Sequence, residues 1–405
     1  MLALNEISAN ELHEIRTACA YLFSSDHAND NAFLETLDIS RVEEAFVNKT
    51  KQNNPYVHSD EPDKDCRSQY KYLSKLRDSL SLLRGCLTSE KTKYKPNLIK
   101  EPKVIAVGGA KGGIGKSLFS ANLGIFLAAS NHRVVLIDLD LGCSNLHYNL
   151  GVKSVAHSVN DFLKKLAPNL DVISIPTRYG PHLIGGSSSE LGSANIAFAR
   201  KLKLIKAIRK IEADYVILDL GGDTSFNIID FFLSADIGMV LSTCEPAAYV
   251  GAYSFIKIAL HRRLNRLGSV ESPYRKKVDA EFKQIVKDSS EESQLTNGNF
   301  ILNLMQNLGR YNHGYLALLE QVLHSFTPKL ILNMVSPQNR VTNVTHRLQE
   351  TARGMLSINV DFLTNIPFTQ EVKDSVIDSV PPVVRHPDGI LANAIRQSCT
   401  KLALV

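Results

Sequence analysis

Apolar and polar residues fall into two regimes. Up to residue 87 the apolar side chains recur at helical spacing. Leu12, Ile15, Cys19 and Leu22 form one stripe, Ile39, Val42 and Phe46 begin a second, and Tyr70, Leu73, Leu76, Leu80 and Leu83 make a third. Asp38 precedes the second stripe as an N-cap. Residues 88–102, TSEKTKYKPNLIKEP, carry two prolines and no apolar period, which predicts a linker. From residue 103 onward the pattern becomes short apolar runs separated by longer helical stretches. The runs are Val104–Val107, Val134–Ile137, Tyr215–Leu218, Ile237–Leu241 and Leu330–Leu332. Strands that are apolar throughout are covered on both faces, the habit of a parallel sheet between helices. The expected fold of residues 103–405 is therefore α/β, a doubly wound, mostly parallel sheet with right-handed crossovers. A small all-helical domain over residues 1–87 precedes it. Ligands of such sheets bind beyond the carboxyl ends of the strands, so chemistry is sought there.

The first strand runs into AVGGAKGGIGKSLFS, and an amphipathic helix with Leu118, Ala121, Ile125 and Ala129 on its apolar stripe follows. Strand, glycine loop and helix in that order form the setting of a phosphate-binding loop. Gly112, Gly113 and Gly115 let backbone N–H groups turn inward, and the helix N-terminus adds positive potential. Lys116 is placed for the β- and γ-phosphates and Ser117 for Mg²⁺. The usual G-x-x-x-x-G-K-[ST] spacing would put its first glycine at Ala110, so the loop is K-G-G-x-G-K-S instead. A second lysine, Lys111, opens it.

With that lysine, Lys111 to Ser117 resemble the deviant Walker A loop of the MinD/ParA superfamily, and the resemblance extends over roughly residues 103–390. It implies a P-loop NTPase domain that binds ATP and Mg²⁺, with Gly112, Gly113, Ile114, Gly115, Lys116, Ser117 and Leu118 at the nucleotide. Lys111 would be the signature lysine that crosses an ATP-bridged homodimer to the partner's phosphates, much as an arginine finger does. Asp138-Leu139-Asp140-Leu141-Gly142 is similar to switch I, which assigns Asp140 to the attacking water and Asp138 to the magnesium shell. Asp219-Leu220-Gly221-Gly222 resembles Walker B with switch II, which assigns Asp219 to magnesium through water. Asp223 departs from the Ala-Gly usual near there. Thr224 to Asn227 form a polar start suited to capping the next helix. Asn333 and Pro367, in LILN and NIPF, match the positions that recognise adenine.

Composition narrows the picture. The chain has 405 residues, 44% hydrophobic and 21% charged, and a net charge of +5 that is too small to imply nucleic-acid binding by itself. Its six cysteines show no C-x-x-C spacing, against a zinc or iron–sulfur framework. The acidic start is unlike a secretory signal, and no apolar run approaches the roughly 20 residues of a membrane span. A cytoplasmic protein is expected. The C-terminal ILANAIRQSCTKLALV has few charges and reads as a domain-covering helix, so direct membrane binding is not expected. The densest basic stretch, residues 261–279, reads first as a solvated helix end, and the acidic Ser289–Ser293 after it weighs against DNA.

Within the superfamily the stretches Ser225–Phe231 and Pro367–Val384 are closest to the FlhG/FleN-like group. The N-terminal outline resembles a J-domain whose His-Pro-Asp has become Asn54-Pro55-Tyr56. The resulting expectation is a slow, partner-stimulated ATPase. It would dimerise on ATP and control the position, number or assembly of a cellular structure through regulatory proteins. The alternatives are a metabolic ATP-dependent ligase or amidase on the same fold, and a ParA-like DNA-partitioning ATPase.

Overall fold

Lys103–Gly108 form strand β1, in which Val104 to Val107 are wholly buried. Such a run needs cover on both faces, and the chain supplies it by alternating strand with helix. The computed structural model describes residues 101–405 apart from 141–143, 187–196, 270–271, 297–298 and 339–340. The helical domain expected over residues 1–87, nearly all of the linker, and Leu141 to Cys143 lie outside the described residues. After β1 come α1 (Lys116–Ala129), β2 (Val134–Leu139), α2 (Leu146–Asn149), α3 (Val159–Leu163), β3 (Ile175–Pro176) and β4 (His182–Ile184). Next are α4 (Phe198–Ile208), β5 (Tyr215–Leu220), α5 (Phe226–Ser234), β6 (Ile237–Ser242) and α6 (Pro246–Asn265). Three more helices, α7 (Ala280–Thr296), α8 (Phe300–Tyr311) and α9 (His313–His324), intervene before β7 (Lys329–Val335). The chain closes with α10 (Val341–Leu356), β8 (Asp361–Pro367), α11 (Gln370–Ile377), α12 (Pro382–Arg385) and α13 (Ile390–Lys401).

The eight strands form one sheet in the order β3-β4-β2-β5-β1-β6-β7-β8, parallel at every pairing except β3–β4. All five expected strands are present. No strand was expected at β3 and β4, which have two and three residues, or at β8. β1 stands near the middle, with β5 and β2 on one side and β6 on the other. Ser154–Ser174 falls in a compact unit distinct from the one built on the sheet. Within it, Ser158 and Asp161 cap α3 reciprocally, Ser158 N donating to Asp161 Oδ2 at 2.7 Å.

Helix α1 differs from the simple amphipathic helix expected. Phe119, Ala121, Leu123, Ile125 and Leu127 are buried round its circumference, while Ala129, expected on the apolar stripe, is exposed. The reason is cover from two sides: α1 packs on β2 and β5, and α12 and α13 pack against it in turn. Asn122, wholly buried, donates to the Leu118 carbonyl at 2.8 Å and accepts the Val383 N–H at 3.0 Å. The C-terminal helix α13 covers β8, as expected. Beyond it the Leu404 carbonyl accepts the buried Tyr215 hydroxyl at 2.7 Å. Among the described residues, no helix is long and apolar enough to cross a membrane.

Part of the basic stretch 261–279 is not a solvated helix end. Arg262 and Arg266 bind the buried carboxylate of Asp230, and Arg263 bonds the Ser325 hydroxyl at 2.7 Å. Arg275, Lys276 and Lys277 do stand exposed.

Candidate functional site

β1 ends in the middle of the sheet, and the chain turns through residues 109–115 into α1. Gly113 and Gly115 have φ of 74° and 88°, the left-handed region that costs a side chain about 1 kcal/mol and glycine nothing. Gly115 is the N-cap of α1, and a Cβ there would strike the Asn333 amide. Gly112 and Gly113 face open space, with nothing within 4 Å of where a Cβ would stand. The loop is thus an open cradle at a helix N-terminus, where backbone N–H groups and the helix dipole favour an anion.

The two lysines occupy different places. Lys116 is buried, and its ammonium donates to the Lys111 carbonyl at 2.9 Å, which closes the loop on itself. Burial lowers its pKa, opposed by the charges of Asp219, Asp140 and Asp223. Lys111 keeps 45% of its side chain exposed and pairs with Glu245 Oε2 at 3.0 Å, at the start of α6.

Asp138 and Asp219 are register partners on adjacent strands β2 and β5, and both are buried. Asp138 is held by three donors: Ser144 Oγ at 2.6 Å and Leu146 N at 3.1 Å on Oδ2, and Asp140 N at 3.1 Å on Oδ1. Burial nevertheless pushes its carboxyl up to about 6. Asp219 Oδ1 accepts the Ser120 hydroxyl at 2.9 Å, while Oδ2 is buried with no hydrogen-bond partner among the described residues. Burial, helped by the charge of Asp138, pushes Asp219 up to about 7 against the hydrogen bond from Ser120 and the neighbouring Ser117 hydroxyl. A buried carboxylate oxygen without a donor, beside a serine hydroxyl, is an oxygen-only setting that suits Mg²⁺ held partly through water. The residues present therefore fit a magnesium–nucleotide group.

The backbone of Gly222 packs against the start of the cradle. A Cβ on Gly222 would stand 2.9 Å from Gly112 N and 3.1 Å from the Lys111 carbonyl carbon. The Asp140 carboxylate lies against Gly221, 3.4 Å from where a Cβ would be. Ser225 takes the N-cap position of α5, but its side chain makes no capping bond. Instead Asp223 Oδ1 accepts the Ser225 N–H at 2.7 Å.

On the other side of Gly115 an apolar groove of about 200 Å³ opens between the loop and α11. Gly115, Leu118, Asn333 and Pro367, singled out from far-apart stretches of sequence, all line it. Asn333 is buried and donates its amide to the Ile114 carbonyl at 2.8 Å, tying the groove to the phosphate loop. Phe368, the last residue of NIPF, lines it too. Sequence reasoning missed Met334, Val376 and Ile377, which also line it; Met334 adjoins Asn333, whereas α11 carries no chemical signal. It also missed Ser120, one turn after Ser117, and Glu245.

Residues 105–383 match the family described as the CobQ/CobB/MinD/ParA nucleotide binding domain. The septum site-determining protein MinD of Helicobacter pylori is 30% identical over 146 residues, 36% of this chain and 54% of that protein. The flagellum site-determining protein YlxH of the same organism is 31% identical over 161 residues, 38% of this chain and 53% of that protein. The antiactivator FleN of Pseudomonas aeruginosa is 28% identical over 158 residues, 38% of this chain and 56% of that protein. The chain thus spans about half the length of the curated relatives it matches. Among solved structures, the cell division ATPase MinD of Pyrococcus furiosus superposes with a TM-score of 0.47 and 15% identity, over 74% of this chain and 98% of that one. With the phosphate cradle, its two lysines and the paired strand-end carboxylates in place, the chain belongs to the CobQ/CobB/MinD/ParA nucleotide-binding domain family.

Proposed function

We propose that the chain is an ATP-hydrolysing switch that dimerises on ATP and Mg²⁺ and, through partner proteins, controls the position, number or assembly of a cellular structure. The observation that supports it best is the separation of the two loop lysines. Lys116 is buried in its own cradle, whereas Lys111 stands half-exposed outside it, held by Glu245. A lysine so placed is within reach of a second copy and adds little to its own site. The names of MinD, YlxH and FleN supply the class of role, since two concern the siting of a septum or a flagellum.

In this reading Lys116 and the N–H groups of residues 112–117 hold the β- and γ-phosphates. Bound magnesium would neutralise charge on those phosphates, held by Ser117 and by Asp219 and Asp138 through water. Asp140 orients the attacking water. Leu118, Asn333 and Pro367 take the adenine in the groove beyond Gly115. Glu245 keeps Lys111 in place until a second copy offers a phosphate instead.

The test is solution mass by light scattering on Asp140→Ala, with ATP and with ADP. A dimer with ATP alone is the expected result. A mass indifferent to nucleotide, with binding shown separately, would reject the switch in favour of a metabolic ATP-dependent enzyme. Lys111→Ala is expected to stay folded and to lose turnover by about 10³-fold or more, the low end for a removed charge of this type.

A further inference from the structure

Away from the loop, α4, α5 and α6 meet around one carboxylate. Asp230 of α5 has no exposed side-chain surface. It binds the ammonium of Lys201 from α4, itself only 4% exposed. From α6 it receives Arg262 through Nε at 2.8 Å and Nη2 at 2.9 Å. Arg266 reaches the same carboxylate at 2.7 Å. Three cations thus share one anion, and the cluster carries a surplus of positive charge.

Two aromatic rings cover these cations and remain open to solvent. The Arg262 guanidinium lies 4.5 Å from the Phe226 ring centroid, and Phe226 is 64% exposed. Arg266 and Lys201 lie 5.3 and 5.7 Å from the ring of Phe198, which is 51% exposed. A single exposed phenylalanine is ordinary. Two of them, each stacked on cations that a buried carboxylate fixes in place, form a preorganised surface that loses little freedom on binding. The field around it is positive as well, because Arg200, Lys203, Lys206 and Lys210 stand exposed on and just after α4.

We propose that Phe198, Phe226, Arg262 and Arg266 form a docking surface for an acidic segment of a partner protein that also carries apolar side chains. The charge surplus selects carboxylates, since a guanidinium has five donors and a bidentate pair with Asp230 uses two. The rings select apolar groups between those carboxylates, which a nucleic-acid backbone does not offer. Aromatic and arginine side chains placed together are the composition of interface hot spots.

The experiment uses the full chain without nucleotide, so its failure leaves the reading of the phosphate loop untouched. The probe is a fluorescein-labelled synthetic helix with glutamate on one face and leucine on the other, followed by anisotropy. Its counterparts are the same helix with glutamine for glutamate, a single-stranded oligonucleotide and a DNA duplex. The glutamate helix is expected to bind wild type. It should bind Phe198→Ser/Phe226→Ser and Arg266→Gln at least about tenfold more weakly, as for hot-spot residues, with the melting temperature of the phenylalanine variant unchanged. No binding to wild type, equal binding by the double variant, or equal binding of the glutamine helix would each overturn the proposal. Tighter binding of either nucleic acid, sensitive to Arg266→Gln but not to the phenylalanines, would overturn it in favour of a nucleic-acid surface. A change of solution mass in the double variant would overturn it in favour of contact between copies.

Discussion

The most unusual side chains are the paired carboxylates of Asp138 and Asp219, pushed up to about 6 and about 7 by burial. A carboxyl whose folded pKa lies above its unfolded one stabilises the fold at low pH and loses that contribution as pH rises through the folded value. Without magnesium, the urea midpoint is therefore expected to fall between about pH 5 and about pH 8. Asp219→Asn should flatten that slope, and magnesium with nucleotide should reverse it, because a bound cation favours the ionised form. A midpoint in EDTA that does not move with pH would contradict this account. Gly222 presents a second handle. Any Cβ there meets backbone of the phosphate loop at 2.9 to 3.1 Å, so Gly222→Ala must push one loop off the other. A loss of about tenfold in nucleotide affinity is expected by calorimetry, with little change in melting temperature, because Gly222 belongs to a loop and not to the core. The residues of the cradle were legible from sequence because their chemistry lies in one short segment. The groove was only half legible: α11 contributes apolar side chains that look like any others until the fold sets them beside Gly115.

Strands were easier to read than helices, and for a physical reason. β1, β2, β5, β6 and β7 are apolar runs because each is sandwiched. β8 at the sheet edge mixes Asp361, Thr364 and Asn365 with apolar residues and so shows no unbroken apolar run. Helix α1 looked amphipathic because its spacing was read without knowing that α12 and α13 cover the outer face. The union of α4, α5 and α6 through Asp230 was invisible in sequence, since its four charges come from three separate stretches. Burial pushes the Asp230 carboxyl up, but hydrogen bonds from Arg262, Lys201 and Arg266 more than offset it and hold it at about 2. Because the folded value lies below the unfolded one, its contribution is present above about pH 4 and lost as pH falls through about 2, roughly 2 kcal/mol in all. Asp230→Asn leaves Lys201 buried without its anion and is expected to cost about 3–5 kcal/mol in urea unfolding at neutral pH. A cost under about 1 kcal/mol would mean that the cations relax into water, as surface pairs do.

At the scale of the molecule, the described crossover between the parallel neighbours β6 and β7 is far longer than one helix. Residues 243–328, holding α6 to α9, separate β6 from its neighbour β7. The inserted helices bury side chains on one another. Phe282 of α7 meets Tyr315 of α9 edge-on at 5.3 Å, and Ile301, Leu304 and Leu308 of α8 are wholly buried. Asn299 and Asn312 cap α8 and α9 with side-chain bonds to backbone N–H groups, so each helix is specified locally. This arrangement sets a timetable for folding. Joining β6 to β7 directly closes a long loop and is entropically slow, whereas helices that pack on near neighbours form early and shorten the loop that remains. Pulse-labelled hydrogen exchange during refolding should therefore find the amides of α8 protected before those of Leu330, Ile331 and Leu332, and variants that weaken the α7–α9 contacts should delay the second half of the sheet while leaving β1, β2 and β5 on schedule.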